Sequence, residues 1–369
     1  MPALVVEQEI AGLRWLVLSG ERLDVFAALG RAAKENIHAV QEGMPEREGL
    51  RRWVSAGIGA RNYAQVAAVT RRHHPTARAE LAALARGAEI DADALLLANL
   101  RGDLGSSDGT GCSDLGWRGR NTVLAHNEDA APALEGQLMF VTVAIDGEPT
   151  VTAQWYPGFL PSNAFTATSN GLVWGINHIQ VAHPKASPGR HFVMRSLQSA
   201  PDLTTALEYL RSHPMAGGFA VTIGSSQDGR AAGVETAAGM VDIVEISEEQ
   251  PLQWHANHLR RLPATLDEPA ASAPGDPTQQ LGGFAESVAR GEQLERLGVP
   301  DAEPGDSWFL DGLSGPGVFR TAAGTDPLMT LCTTVANLGE DCITVRGAGG
   351  LTSTLPLSDF VRGRQPLHT

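Results

Sequence analysis

The residue in this chain best placed to do chemistry is Cys112, because it follows Gly111 at the end of an unusual stretch. Gly102-Asp103-Leu104-Gly105-Ser106-Ser107-Asp108-Gly109-Thr110-Gly111 is too rich in glycine and small polar residues to be a helix or a strand. A thiol at such a junction can attack the carbonyl carbon of the residue before it, turning a peptide bond into a thioester that water hydrolyses. Gly111, lacking a Cβ, lets the scissile carbonyl come within reach of the sulfur. Cleavage would leave Cys112 with a free α-amino group, whose ordinary pKa of about 7.7–8.0 suits a general base near neutral pH. One residue would then carry both nucleophile and base.

The residue types alone leave other readings open. A free cysteine is also a common small core residue, and Cys332 and Cys342, in apolar strand-like surroundings, fit that description. The glycine-rich stretch does not fit a phosphate loop: it lacks the Gly-x-x-x-x-Gly-Lys-Ser/Thr pattern and follows a helical segment where a strand should be. His255 and His258, with His178 and His183 earlier, offer imidazoles to a metal. However, the His-Glu-x-x-His signature and a third committed ligand are both missing, so no metal and no cofactor are expected.

The elements that must position Cys112 change character at the junction. Before it, Trp15 to Leu18 reads as a strand, and Leu23 to Leu100 reads as several helices, among them Leu23–Ala33, Ala77–Ala88 and Ala92–Leu100. Pro75 stands where a helix can begin. After it, short strands are expected at 122–126, 138–145, 150–155, 172–177, 219–223, 232–236 and 241–246, with a hairpin turn at Gly147 and Pro149. Helices are expected at 191–199, 203–211 and 284–297, a long surface loop at 262–283, and last strands at 328–335 and 342–345. Runs of helices and runs of strands point to layered α+β packing.

Around the junction the sequence resembles the isopenicillin N acyltransferase family of cysteine Ntn-hydrolases, which includes hydrolases of β-alanyl amines. Ala98-Asn99-Leu100-Arg101 resembles its Leu-Asn-x-Arg element, Gly111-Cys112-Ser113 its processing site, and His126-Asn127-Glu128-Asp129 its Gln-Asn-x-Asp strand end. Here His126 and Glu128 stand in place of the usual Gln and Trp. Further on, Asn170 to Asn177 is similar to the strand that brings an asparagine beside the nucleophile. Glu235-Thr236 resembles a Glu-x-Thr/Ser strand without its spacer. His255-Ala256-Asn257-His258 is similar to an oxyanion-hole element, and Val318-Phe319-Arg320 to a segment carrying a buried arginine.

The resemblance implies a four-layer αββα sandwich, made as one domain over residues 1–369. It would be a zymogen that cuts itself between Gly111 and Cys112 into an α chain, 1–111, and a β chain, 112–369, which stay partners. It implies Cys112 as nucleophile, Asn177 and Asn257 as oxyanion donors, and Asp129 as the anchor of the new α-amine. Arg320 would offset Asp129 and favour the thiolate. The expected activity is cleavage of a small N-acyl amine through an acyl-enzyme. Two alternatives stay open: transfer of an acyl group from an acyl-CoA or amide to an amine, and a noncatalytic small-molecule-binding protein that keeps the fold.

Bulk properties bound the partners. The 369 residues carry a formal net charge of −14, with 42 acidic against 28 basic residues. No basic footprint for nucleic acid exists, and nothing attracts the chain to an anionic membrane. No apolar run approaches the ~20 residues of a membrane span, and the first twenty residues lack a signal-peptide pattern. Three cysteines fit a reducing compartment, so a cytoplasmic location is expected.

Overall fold

The computed structural model describes residues 2–106, 111–162, 164–266, 283–323 and 327–365. Among these residues the first part of the chain gives β1 (Leu4–Ile10), β2 (Leu13–Gly20), α1 (Arg22–Ala32), α2 (Lys34–Gly43), α3 (Arg47–Trp53), α4 (Gly57–His73), α5 (Pro75–Ala88) and α6 (Ala92–Asn99). The second part opens with β3 (Cys112–Arg118), β4 (Thr122–Ala130), β5 (Met139–Ile145), β6 (Val151–Trp155), β7 (Thr166–Thr168) and β8 (Leu172–Ile179). Then come α7 (Arg190–Leu197), α8 (Leu203–Ser212), β9 (Gly218–Ser225), β10 (Ala231–Ala237), β11 (Met240–Ile246) and β12 (Leu252–His255). The chain ends with α9 (Gly283–Arg296), α10 (Asp306–Ser314), β13 (Met329–Asn337), β14 (Cys342–Gly347), β15 (Thr352–Pro356) and α11 (Leu357–Val361).

Two sheets form, one of nine strands ordered β1-β2-β5-β6-β7-β8-β9-β10-β11 and one of six ordered β12-β3-β4-β13-β14-β15. Side chains alternate across a strand, and that period sorts β2 between two cores. Leu16 and Leu18 face α1, α5 and α6, while Leu13 and Trp15 face the second sheet. In the second sheet Leu124 joins the core between the sheets, whereas Leu115, Trp117, Val123 and Ala125 pack outward on Leu294 of α9 and on Phe309 and Leu313 of α10. Helices α7 and α8 cover the far half of the first sheet through Trp174, Ile176, Met194 and Leu207. The result is a four-layer αββα sandwich.

The helical layer is packed tightly where residues are small. A Cβ added to Gly30 of α1 would lie 2.2 Å from the Leu84 carbonyl oxygen, and one on Gly87 of α5 would lie 2.1 Å from that of Ala27. The two backbones therefore touch, and either glycine replaced by a larger residue would force the helices apart. Pro75 opens α5 as expected, and Asp202 caps α8 by accepting the Thr205 N–H at 2.8 Å.

The expected elements are present, with additions. The β1 strand carries Glu7, Gln8 and Glu9 and pairs only with β2, so its polar half hides the alternation. The four-residue, half-buried β12 and the short α10 are too brief for a periodic pattern to mark them. Of the glycine-rich stretch, residues 107–110 lie outside the described residues, as do residues 267–282 of the expected long loop. No helix among the described residues is long and apolar enough to cross a membrane.

Candidate active site

Antiparallel pairing of β3 with β4 sets Cys112 opposite Glu128 and Asp114 opposite His126. Because positions two apart share a face, these four side chains stand together on the face turned toward the first sheet. A Cβ on Gly175 of β8, in that sheet, would come within 2.6 Å of Asp114 Oδ1 and 2.9 Å of His126 Nδ1. All four are buried.

They form one hydrogen-bonded row. Asp114 Oδ1 lies 2.6 Å from His126 Nδ1, and His126 Nε2 lies 2.9 Å from Glu128 Oε2. Glu128 Oε1 accepts the Tyr156 hydroxyl at 2.9 Å and the Cys112 thiol at 3.8 Å. Burial by itself would push the His126 imidazole down, but Asp114 and Glu128 on either side push it up to about 10. Burial pushes the Glu128 carboxyl up, against the opposing pull of His126 and Tyr156. Cys112 is raised well above an ordinary thiol, first by burial and then by Glu128 and Asp129, while the Asp129 main-chain N–H works in the opposite direction. In the continuous chain, burial and two carboxylates therefore keep the sulfur protonated.

The same row carries a pH signature. A histidine raised from 6.5 to about 10 stabilises the fold fully below pH 6.5 and loses that contribution as pH rises through 10. The melting temperature of the protein should therefore fall between pH 7 and 10 more steeply than that of a His126→Gln variant, with the gap between them closing as pH rises. Parallel melting curves would show that His126 is neutral throughout.

The peptide unit at the junction is clamped from several sides. The Asp129 N–H donates to the Gly111 carbonyl oxygen at 3.1 Å, and the Cys112 N–H donates to Asn257 Oδ1 at 3.0 Å. Arg290 of α9 donates to the Cys112 carbonyl oxygen, to Ser113 Oγ at 3.1 Å and to Asn257 Oδ1 at 2.8 Å, and pairs with Glu286 at 2.8 Å. Close approach dictates the glycine: a Cβ on Gly111 would lie 2.5 Å from Arg320 Nη1, 2.8 Å from Leu328 Cδ1 and 3.0 Å from Asp129 Cβ. Asp129 Oδ1 accepts the Thr330 hydroxyl at 2.6 Å. Its Oδ2 has no hydrogen-bond partner among the described residues. Burial raises this carboxyl, with Arg290 and Arg320 pulling it back. Arg320 also pairs with Glu286 at 3.4 Å.

Four of the five residues singled out in the sequence thus meet at one peptide bond: Cys112, Asp129, Asn257 and Arg320. Asn177 sits one step away. Its Nδ2 donates to the His255 carbonyl oxygen at 3.2 Å and its buried Oδ1 has no partner among the described residues, so it anchors the end of β12 that delivers Asn257. The Asn257 side chain is fixed in orientation, because Oδ1 accepts two donors while Nδ2 donates to the His178 carbonyl oxygen at 2.9 Å. That leaves one N–H of Nδ2 to point elsewhere.

Glu235 and Asn99 are braces. Glu235 accepts the main-chain N–H groups of Arg260, Arg261 and Leu262 at 2.9–3.0 Å, and His255 Nε2 at 3.0 Å. Although burial opposes it, His255 and these donors hold its carboxyl down at about 2. His255 Nδ1 lies 2.6 Å from the Ala256 carbonyl oxygen, so the ring serves this loop. Asn99 bonds the Leu95 and Gly158 carbonyl oxygens and the Leu160 N–H, which pins the segment carrying Tyr156 and Phe159.

Sequence reasoning missed Arg290, Glu286, Asp114 and the part played by His126 and Glu128. The i,i+4 spacing of Glu286 and Arg290 is legible, but it reads as a surface ion pair. The readable signal for the others was the i, i+2 spacing of Cys112 with Asp114 and of His126 with Glu128, which puts each pair on one face of its strand. Cys112, His126 and Glu128 also bring sulfur, nitrogen and oxygen within 4.8 Å of one another, a spacing a cation can use. Each of those three residues also hydrogen-bonds another member of the row.

Cys112 opens into a cleft lined by Met44, Arg101, Leu134, Tyr156, Phe159 and Ile176 among others. Residues 117–280, less than half of the chain, match the family model described as acyl-coenzyme A:6-aminopenicillanic acid acyl-transferase. The family resemblance holds, and the chain is an enzyme. The family match spans Asp129, Asn177 and Asn257, with Cys112 and Arg320 outside it. An acyltransferase family carries small-molecule acyl substrates with it, and the noncatalytic reading loses its support.

Among solved structures, penicillin V acylase from Agrobacterium tumefaciens is similar at 12% identity and a TM-score of 0.41, covering 67% of this chain and 86% of that one. A variant of conjugated bile acid hydrolase from Clostridium perfringens is similar at 10% identity and a TM-score of 0.43, covering 69% and 95%. No curated protein matches by sequence.

Proposed function

We propose that the protein is a proenzyme that cleaves itself between Gly111 and Cys112 and then hydrolyses the amide bond of a small N-acyl amine through a thioester on Cys112. The observation that carries this reading is the clamp on the junction. The carbonyl oxygen of Gly111 sits on the Asp129 N–H and the nitrogen of Cys112 sits on Asn257, so both ends of the bond to be broken are held beside the thiol.

Attack by sulfur would place negative charge on the Gly111 oxygen, where the Asp129 N–H already points; one such donor is worth roughly 2.7–4 kcal/mol in other hydrolases. After cleavage the Cys112 nitrogen becomes an amine. Asn257 Oδ1 would retain it, and the unpartnered Oδ2 of Asp129 would give the charged amine a second acceptor. In turnover that amine takes the thiol proton, Cys112 attacks the substrate carbonyl, and the free N–H of Asn257 Nδ2 supports the oxyanion. Arg290 and Arg320 offset Asp129 and Glu286.

The two fragments would stay one domain. Strand β2, from the α chain, pairs in parallel with β5 from the β chain, and the helices of the α chain cover that sheet. A reducing, cytoplasmic setting belongs to this reading, because an oxidised Cys112 could not attack. The description of the matched family favours a second outcome for the same acyl-enzyme, resolution by an amine rather than by water. Incubated protein analysed by intact mass should yield species matching 1–111 and 112–369. A chain that stays whole under all conditions would overturn the proposal. Supplying N-acyl amines, β-alanyl amides among them, with and without acceptor amines then separates hydrolysis from transfer.

A further inference from the structure

Self-cleavage needs a base that the mature site does not. Before the cut, the Cys112 nitrogen is an amide that donates its only hydrogen to Asn257, so it has no lone pair available to take the thiol proton. Burial and two neighbouring carboxylates meanwhile hold that proton on sulfur. Some other group must accept it during attack.

Among the described residues, Glu128 is the carboxylate in contact with the sulfur. Glu128 Oε1 lies 3.8 Å from Cys112 Sγ, directly across the strand pair. Its other oxygen is held by His126, and His126 is held in turn by Asp114. Tyr156 fixes the first oxygen from the opposite side at 2.9 Å. Asp129 is a second carboxylate beside the junction, but no hydrogen bond joins it to the sulfur: its Oδ1 accepts the Thr330 hydroxyl and its Oδ2 has no partner among the described residues.

We propose that Glu128 is the general base of self-cleavage, with His126 and Asp114 as the positioning residues that hold it. This rests on the reading of Cys112 as a self-cleaving nucleophile. In the step, the Cys112 S–H bond breaks and its proton moves to Glu128 Oε1 as sulfur bonds to the Gly111 carbonyl carbon. The carbonyl π electrons move onto oxygen, facing the Asp129 N–H. The oxyanion then collapses, the C–N bond breaks, and Glu128 returns the proton to the departing Cys112 nitrogen. A thioester and a free α-amine result. Water hydrolyses the thioester to the Gly111 carboxylate and the Cys112 thiol, and the new amine takes over as base for turnover. The carboxyl raised by burial suits this work, because a weakly acidic Glu128 both takes and gives back the proton.

The test is a time course of intact mass on the full chain at neutral pH, for the protein as it is and for Glu128→Gln, Glu128→Ala and His126→Gln. Glu128→Gln preserves shape and removes basicity. It should slow cleavage by about 10²–10⁴-fold. Glu128→Ala should stall as well, and added formate should restore its cleavage in proportion to concentration, since the cleft reaches this side chain. A purely structural role would not give that rescue. His126→Gln should fall in between. The same courses run with EDTA should be unchanged, and an EDTA effect would instead assign the row to a bound divalent cation. Cleavage of Glu128→Gln at the unmodified rate, or a folded Glu128→Ala that formate leaves stalled, would overturn the role of Glu128 while leaving Cys112 as nucleophile. An unmodified chain that never cleaves would overturn the nucleophile reading itself.

Discussion

Replacing Cys112 with alanine should leave the chain as a single 38.9 kDa species and abolish the proposed amide hydrolysis. The reasoning is that, among the described residues, the Cys112 sulfur is the nucleophilic atom held at the junction by the strand pairing. Glu128 is placed to accept a proton and Tyr156 is hydrogen-bonded away to Glu128. Loss of a nucleophile in comparable hydrolases lowers turnover on the order of 10⁶-fold, so residual activity should fall below detection. The substitution removes one buried sulfur and creates little void, which keeps the fold and makes the variant a clean comparison. Fragments that still form at Gly111-Cys112 in the alanine variant would mean another protease makes the cut. Cysteine replaced by serine should cleave slowly, because a hydroxyl at that position is a weaker nucleophile with a higher pKa.

Arg290→Met should be the most damaging substitution outside Cys112. The guanidinium is fully buried and satisfies the Cys112 carbonyl, Ser113 Oγ, Asn257 Oδ1 and Glu286 at once. Methionine fills most of the volume but leaves those acceptors short of a donor and Asp129 short of a cation. Breaking a buried charged set by removing one partner costs about 3–5 kcal/mol. It should also slow cleavage, because Asn257 and Cys112 lose the group that holds them in register. Denaturant midpoints measured in the Cys112→Ala background, where every chain is intact, isolate the stability part. Arg290→Lys should recover only part of it, since an ammonium cannot span the carbonyl and the two oxygens as the planar fork does. Equal midpoints for Arg290→Met and its parent would show that Glu286 and Arg320 hold the site without Arg290.

These two expectations also separate what was legible in the sequence from what was not. Cys112 could be picked out because an N-terminal nucleophile needs a local signature, a small residue before a thiol at a change from helix to strand. The layered α+β fold was legible for a similar reason: hydrophobic patterning is local, and the short, near-continuous apolar runs at 138–145 and 172–177 correspond to β5 and β8. Asp129, Asn257 and Arg320 were legible only as members of an ordered pattern, and that pattern led to residues that do meet at one bond. Asn177 came from the same pattern, yet it holds the His255 carbonyl rather than the junction.

By itself the sequence pointed to Cys112, to the order of helices and strands, and to the chemistry a thiol at such a junction can perform. The tertiary structure alone decided what surrounds that thiol. Whether Glu128 faces Cys112 depends on the register of β3 against β4, and a slip of one residue would turn His126 and Glu128 to the opposite face. Whether Arg290 is a surface helix charge or a buried clamp depends on how α9 lies against the second sheet. Pairing register and helix docking are set by long-range packing, so the residues that surround Cys112 carry no local mark of their position.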